Sequence, residues 1–205
     1  MGCLRSLPSL PSLRSLRLVA LCLSGSLLLS SSFANQVITE HDTAPVAIAD
    51  AMPNARISGE GKFTWFGLKL YDARLWVSDV GLELGQFSNT PFALDIHYSR
   101  SLDGKAIAEQ SAKEIETLAF GDDSARSRWR DAMIRLFPNV SKGDRLIGIH
   151  LPGKATRFWL NGKALGSVDD PEFGSAFFAI WLDPRTKAPR LRQAMIAGAA
   201  RRVAQ

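Results

Sequence analysis

The 205-residue chain carries 25 Lys+Arg against 20 Asp+Glu, a formal charge of +5, and 46% of its residues are hydrophobic. Three of the basic residues sit at the very N-terminus, so the remainder is nearly balanced, and no basic stripe with interleaved aromatics marks a nucleic-acid partner. Both cysteines, Cys3 and Cys22, fall in the same N-terminal stretch, which excludes a disulfide scaffold, a thiolate nucleophile or a cysteine-bound metal in everything that follows.

In chain order, Arg5, Arg14 and Arg17 precede an apolar and small-residue run, Leu18 to Leu29, that is too short to cross a bilayer. With Ser32-Phe33-Ala34 as an A-x-A-like site, residues 1–34 read as a secretory signal peptide cut after Ala34. The expected product is a single domain, 35–205, periplasmic or secreted and not integral to the membrane. Leu21 stands where lipoprotein processing at Cys22 would need a small residue, so no lipidation is expected. Asn35 to Pro53 reads as a polar, alanine-rich lead-in with an edge strand through Val46 to Ile48, and Pro53-Asn54 signals a turn.

Gly59 to Val77, GEGKFTWFGLKLYDARLWV, is the longest run with extended character. Gly59 and Gly61 suit a bulge or a close backbone approach. Phe66, Leu68 and Leu70 alternate on one face, after which Ala73, Leu75 and Val77 make the Lys69/Tyr71 face the apolar one; the change of phase predicts a bulge near Asp72 or cover on both faces. Phe92 to Arg100 is a second alternating strand, with Phe92, Leu94, Ile96 and Tyr98 on one face and Asp95, His97 and Ser99 on the other. Asp103-Gly104 opens a helix to about Phe120 with Ile107, Ser111, Ile115 and Leu118 inward, and a second helix from near Ser124 buries Trp129, Met133, Leu136 and Phe137 before Pro138 ends it.

Arg145 to Leu151 and Thr156 to Leu160 follow as strands, and Asn161-Gly162 is a type I′ hairpin signal leading to a return strand, Lys163 to Val168. Asp170 as N-cap and Pro171 at the first helical position predict a helix with Phe173, Phe177, Ile180 and Trp181 inward, and a last helix is expected from Pro189 to about Val203. The order of elements gives an α+β fold, a largely antiparallel sheet covered by helices on one face.

The glycine pair Gly59/Gly61, then Lys69-Leu70-Tyr71, Ala73, and Leu75-Trp76-Val77, resemble the core strands of the chalcone isomerase-like family. The resemblance continues through FALDIHYSR, RWRDAMIRLFP, DRLIGIHLPG, TRFWLNGKALG and FFAIWLDP, and so covers the chain after about Met52. It implies an open-faced β-sandwich with helices on the large sheet.

No G-x-S-x-G, H-E-x-x-H, Walker or Rossmann motif occurs, so no cofactor is implied, and His41, His97 and His150 are too scattered for a metal motif, although the two strand histidines could meet across a sheet. In true chalcone isomerases, the resemblance implies, an arginine and a threonine on the strands and a tyrosine and an asparagine on the helix hold the oxyanion and carbonyl. Those places fall here near Phe63, on Tyr71, and on about Ile107 and Glu114, so catalytic residues are not matched and isomerase activity is not expected. The family also includes fatty-acid binders, which implies a fatty acid or small apolar carboxylate as ligand. Tyr71 and Tyr98 could give hydroxyls and Lys62, Lys69 or Arg100 the positive charge. Two other readings remain open: an intramolecular lyase or isomerase on another substrate, and a structural or partner-binding periplasmic protein.

Overall fold

The computed structural model describes residues 43–200. The expected signal peptide, the first part of the lead-in with His41, and the far end of the last helix lie outside them. Six strands, β1 (Arg56–Trp65), β2 (Leu68–Val77), β3 (Phe92–Tyr98), β4 (Arg145–Leu151), β5 (Ala155–Leu160) and β6 (Lys163–Val168), form one sheet in chain order, each antiparallel to the next. Five α-helices accompany it among the described residues: α1 (Val46–Ala51), α2 (Gly104–Thr117), α3 (Asp123–Leu136), α4 (Phe173–Leu182) and α5 (Pro189–Met195).

The long extended run is therefore two strands. Phe66 (φ +46°) and Gly67 (φ +76°) both take left-handed backbone, the requirement of a two-residue hairpin turn, so the chain reverses there. The phase change has two causes in the structure. Register shifts at Ile57/Gly59 and Phe63/Thr64 put irregularities in the β1–β2 ladder, and Trp65, Phe66 and Leu68 at the turn are exposed rather than part of any core.

Strand alternation then sorts the side chains. Ala73, Leu75, Val77, Phe92, Leu94, Ile96, Tyr98, Leu146 and Phe158 form one continuous core with α2 to α5, in which Phe173, Phe177 and Phe178 of α4 are the largest contribution. Trp76, Ala93, Ile147 and Ile149 point to the opposite face and pack on Ile48 and Met52. Here the edge strand expected at Val46 to Ile48 is corrected: the segment is α1, because Pro45 holds φ at −53° and the i, i+4 pair Ile48 and Met52 then meets one apolar patch.

Two helix boundaries also differ from expectation. α4 starts at Phe173, because Asp170 spends its carboxylate on the Glu172 amide (2.9 Å) and the Trp129 indole (2.8 Å), making a turn before the helix rather than its cap. α5 ends at Met195, since the following residues leave the helix to run beside β1: the Gly198 amide donates to the Ser58 carbonyl (2.8 Å), and Arg56 donates to the carbonyls of Gly198 and Ala200, both at 2.6 Å. The caps of α2 and α3 are aspartates, Asp103 to the Ala106 amide (2.8 Å) and Asp122 to the Ala125 amide (2.7 Å).

Candidate functional site on the helix-covered face

Tyr71 of β2 and Tyr98 of β3 are cross-strand partners, and alternation aims both rings into the helix layer. Their rings meet edge to face at 6.1 Å, and Phe63 of β1 stacks on Tyr71 at 5.1 Å. The Trp181 indole of α4 donates to the Tyr71 hydroxyl at 3.0 Å. Burial pushes the Tyr71 phenol well above its usual pKa, the Trp181 hydrogen bond opposing it only weakly, and burial followed by the neighbouring Tyr71 raises Tyr98 in the same way. Both phenols stay neutral at any physiological pH, so they can donate a hydrogen bond but cannot serve as phenolate bases.

The expected cations are distributed elsewhere. Lys62 is next to Phe63 in β1, and alternation turns it to the opposite face, where it lines a groove of about 520 Å³ with Glu60, Asp72, Arg74 and His97. Lys69 is ion-paired with Asp72 at 2.5 Å. Arg100 is exposed two residues beyond Tyr98, and the acids on the nearby helix are engaged otherwise, Asp103 as a cap and Glu109 3.8 Å from Lys105. Of the five residues singled out from the sequence, the structure thus brings Tyr71 and Tyr98 together and holds Lys62 and Lys69 apart from them. Phe63 and Ile107 pack against the apolar core, and Glu114 accepts from Gln110 (2.7 Å) and Lys187 (2.9 Å).

The layer between sheet and helices is occupied by the protein's own rings. Phe158 meets Phe137 at 5.1 Å and Phe177 at 5.4 Å, Phe177 meets Phe173 and Trp181 at 5.4 Å each, and Phe92 meets Phe178 at 4.8 Å. A second groove, of about 470 Å³, runs between α2 and α3 and is lined by charged residues such as Glu109, Lys113, Glu116 and Arg126.

The opposite face holds a polar centre that sequence reasoning did not single out. Asp95, in the middle of β3, is completely buried, and Arg145 grips it through two hydrogen bonds of 2.8 and 2.6 Å. The Trp76 indole donates to it at 3.3 Å, and His97 Nε2 lies 3.3 Å away. Burial alone would raise the carboxyl, but the hydrogen bonds and positive charge of Arg145, with His97 close by adding to them, outweigh it and lower its pKa to about 2. Its signal in the sequence is a lone acid inside the strand FALDIHY, which must find a partner once that strand is central. His97 is on this face, whereas His150 is on the other, its Nε2 2.8 Å from the Ser88 carbonyl and its ring against Phe92 and Phe178. The two strand histidines do not meet, and among the described residues no three His, Cys, Asp or Glu gather as a metal site.

A six-stranded antiparallel sheet with four helices on one face and a tyrosine pair beneath them defines an open-faced α+β sandwich of the chalcone isomerase type. A profile described as chalcone isomerase-like matches residues 50–197, and the chain belongs to that family. A crystal structure of a fatty-acid binding protein of Arabidopsis thaliana shares the fold with a TM-score of 0.55 at 11% identity, over 72% of this chain and 89% of that one. An uncharacterized protein of Haemophilus influenzae is 33% identical over 138 residues, 67% of this chain and 66% of the relative, so the match spans just under two thirds of that relative's length. Among the described residues no helix is long and apolar enough to cross a membrane.

Proposed function

We propose that this protein is a non-catalytic member of the family that binds a fatty acid or another small apolar acid under its helix layer, after export to the periplasm with loss of residues 1–34. The observation that carries this reading is the Tyr71 hydroxyl. It accepts from Trp181, which leaves its own proton free to donate, and it does so beside Tyr98 in a layer made mostly of apolar aromatic side chains. A neutral donor in apolar surroundings suits the head of a long-chain acid. Ring closure of a phenolate onto an enone instead needs a cation beside the oxyanion and hydroxyl donors for the carbonyl, and near the cation's place stands Phe63 and at about one hydroxyl's place Ile107, both packed on the apolar core. The fatty-acid binding protein of like fold adds support at the level of the fold alone. Arg100 is the cation assigned to the carboxylate.

Native mass spectrometry of protein purified from its own periplasm tests the reading, with a retained small acid as the expected result. Protein that arrives empty and gains no thermal stability from added fatty acids overturns it. A purified sample that converts chalcone to flavanone well above background, and loses this on Tyr71→Phe, overturns the non-catalytic part and puts an isomerase first. Export is checked separately by N-terminal sequencing, which should begin at Asn35.

A further inference from the structure

The β1–β2 hairpin reaches past the rest of the sheet. Its last pairing with β3 is Tyr71 to Tyr98, followed by the Ser99 amide donating to the Leu70 carbonyl (2.8 Å), while Thr64 and Trp65 pair only with Lys69 and Leu68. At about 3.3 Å per residue the tip overhangs by roughly 10 Å. Among the described residues the large exposed hydrophobics are Val46, Val80 and three that share this tip: Trp65 is 55% exposed, Phe66 88% and Leu68 49%. The Trp65 and Phe66 rings meet edge to face, with centroids 5.0 Å apart.

The turn itself works against local preference. A left-handed first turn position favours Asn, Asp or Gly, and a bulky aromatic there is a rare and strained choice. Asn161-Gly162, the other tight hairpin, has the favoured pair at the same positions. At Phe66 neither backbone preference nor core packing rewards the aromatic.

The geometry points to a lipid bilayer surface with anionic headgroups as the partner of this tip. Tryptophan, phenylalanine and leucine on a convex projection are the side chains that settle at the boundary of headgroups and acyl chains, about 5–10 Å deep, which the overhang can reach. Lys62 and Lys69 flank the tip, Lys69 sharing its charge with Asp72, and Lys142 in the loop before β4 and Lys163 at the start of β6 are exposed at the same end of the sheet, where they would face the headgroups. A protein partner fits less well: a stable protein interface takes about 800 Å² from each side, far more than three side chains on a narrow hairpin supply. The docking is independent of any ligand in the helix layer.

Flotation of the purified protein with vesicles of phosphatidylglycerol and phosphatidylcholine, at low and moderate salt, tests the inference. The wild type should float with them, and the triple variant Trp65→Ser, Phe66→Gly, Leu68→Ser should lose at least tenfold in partition. Phe66→Gly alone should bind several-fold more weakly while keeping or raising the melting temperature, since glycine suits the left-handed turn. Brominated lipids should quench Trp65, and the quenched component should vanish in Trp65→Ser. The inference is overturned if the wild type stays in solution, if the triple variant floats equally, or if pure phosphatidylcholine captures as much protein. A tip-dependent dimer without lipid would instead make a second copy the partner.

Discussion

Asp95 and Arg145 show what a single buried charge demands of its neighbours. Removing Arg145 leaves a carboxylate in the sheet with only Trp76 and His97 nearby, so Arg145→Ala should cost about 3 kcal/mol in urea unfolding. The acid dependence follows from the lowered carboxyl, whose pKa falls from 3.8 to about 2 on folding. Its contribution is complete above the unfolded value and lost as pH drops from about 4 to about 2, an effect of about 2 kcal/mol. The wild-type urea midpoint should fall across that window, and that of Asp95→Asn should fall less; equal slopes would place the acid sensitivity elsewhere. Tyr71→Phe is a different kind of loss. It strands the Trp181 indole without its acceptor, at about 1–2 kcal/mol, and because both residues share one bond, adding Trp181→Phe should cost less than the sum of the single changes.

At the level of elements, the β1–β2 hairpin and α5 depend on two small residues. A methyl group on Gly59 would lie 2.1 Å from the Ala194 carbonyl oxygen, and one on Gly61 would lie 2.9 Å from a Leu191 methyl, so the helix rests directly on the strand backbone. Gly59→Ala should therefore lift α5 and lower stability by about 2 kcal/mol or more, visible as a drop of several degrees in melting temperature. Gly85→Ala, with nothing near its side, should change little. The close approach was legible in the sequence because glycine in a strand signals it, and here the bulge it also suggested is present as well. The hairpin turn at the end of the same strand was not legible: Phe66-Gly67 lacks the Asn or Asp that reveals Asn161-Gly162, and three apolar side chains at the tip imitate a core face. Helices α2 and α3 were readable from the spacing of their apolar residues, α2 also from Asp103-Gly104 at its start, whereas the Asp122 cap of α3 was missed and α1 is too short to show a period. The tyrosine pair could be proposed from the strand order, but the side of the sheet taken by Lys62 depends on register, which composition does not reveal.

For the whole molecule, the filled aromatic layer would make entry of the proposed ligand a repacking event. A fatty acid at a hundred times its dissociation constant should stabilise the protein by about 2.7 kcal/mol, a rise of roughly 5–10 °C in melting temperature for a domain of this size. The near-ultraviolet aromatic signal should change with it, and a rise without that change would put the ligand outside the layer of Phe137, Phe158 and Phe177. The strap formed by residues after α5 has a further consequence, for the chain while it is being made. β1 is the first of the six described strands to leave the ribosome, yet its Ser58 is separated by 137 positions from Met195 at the end of α5, whose carbonyl accepts its hydroxyl at 2.7 Å. Until that late segment arrives, the first strand is a bare sheet edge available to any neighbouring nascent chain. The half-made protein is therefore the species expected to pair edge to edge with its neighbours more readily than the finished one.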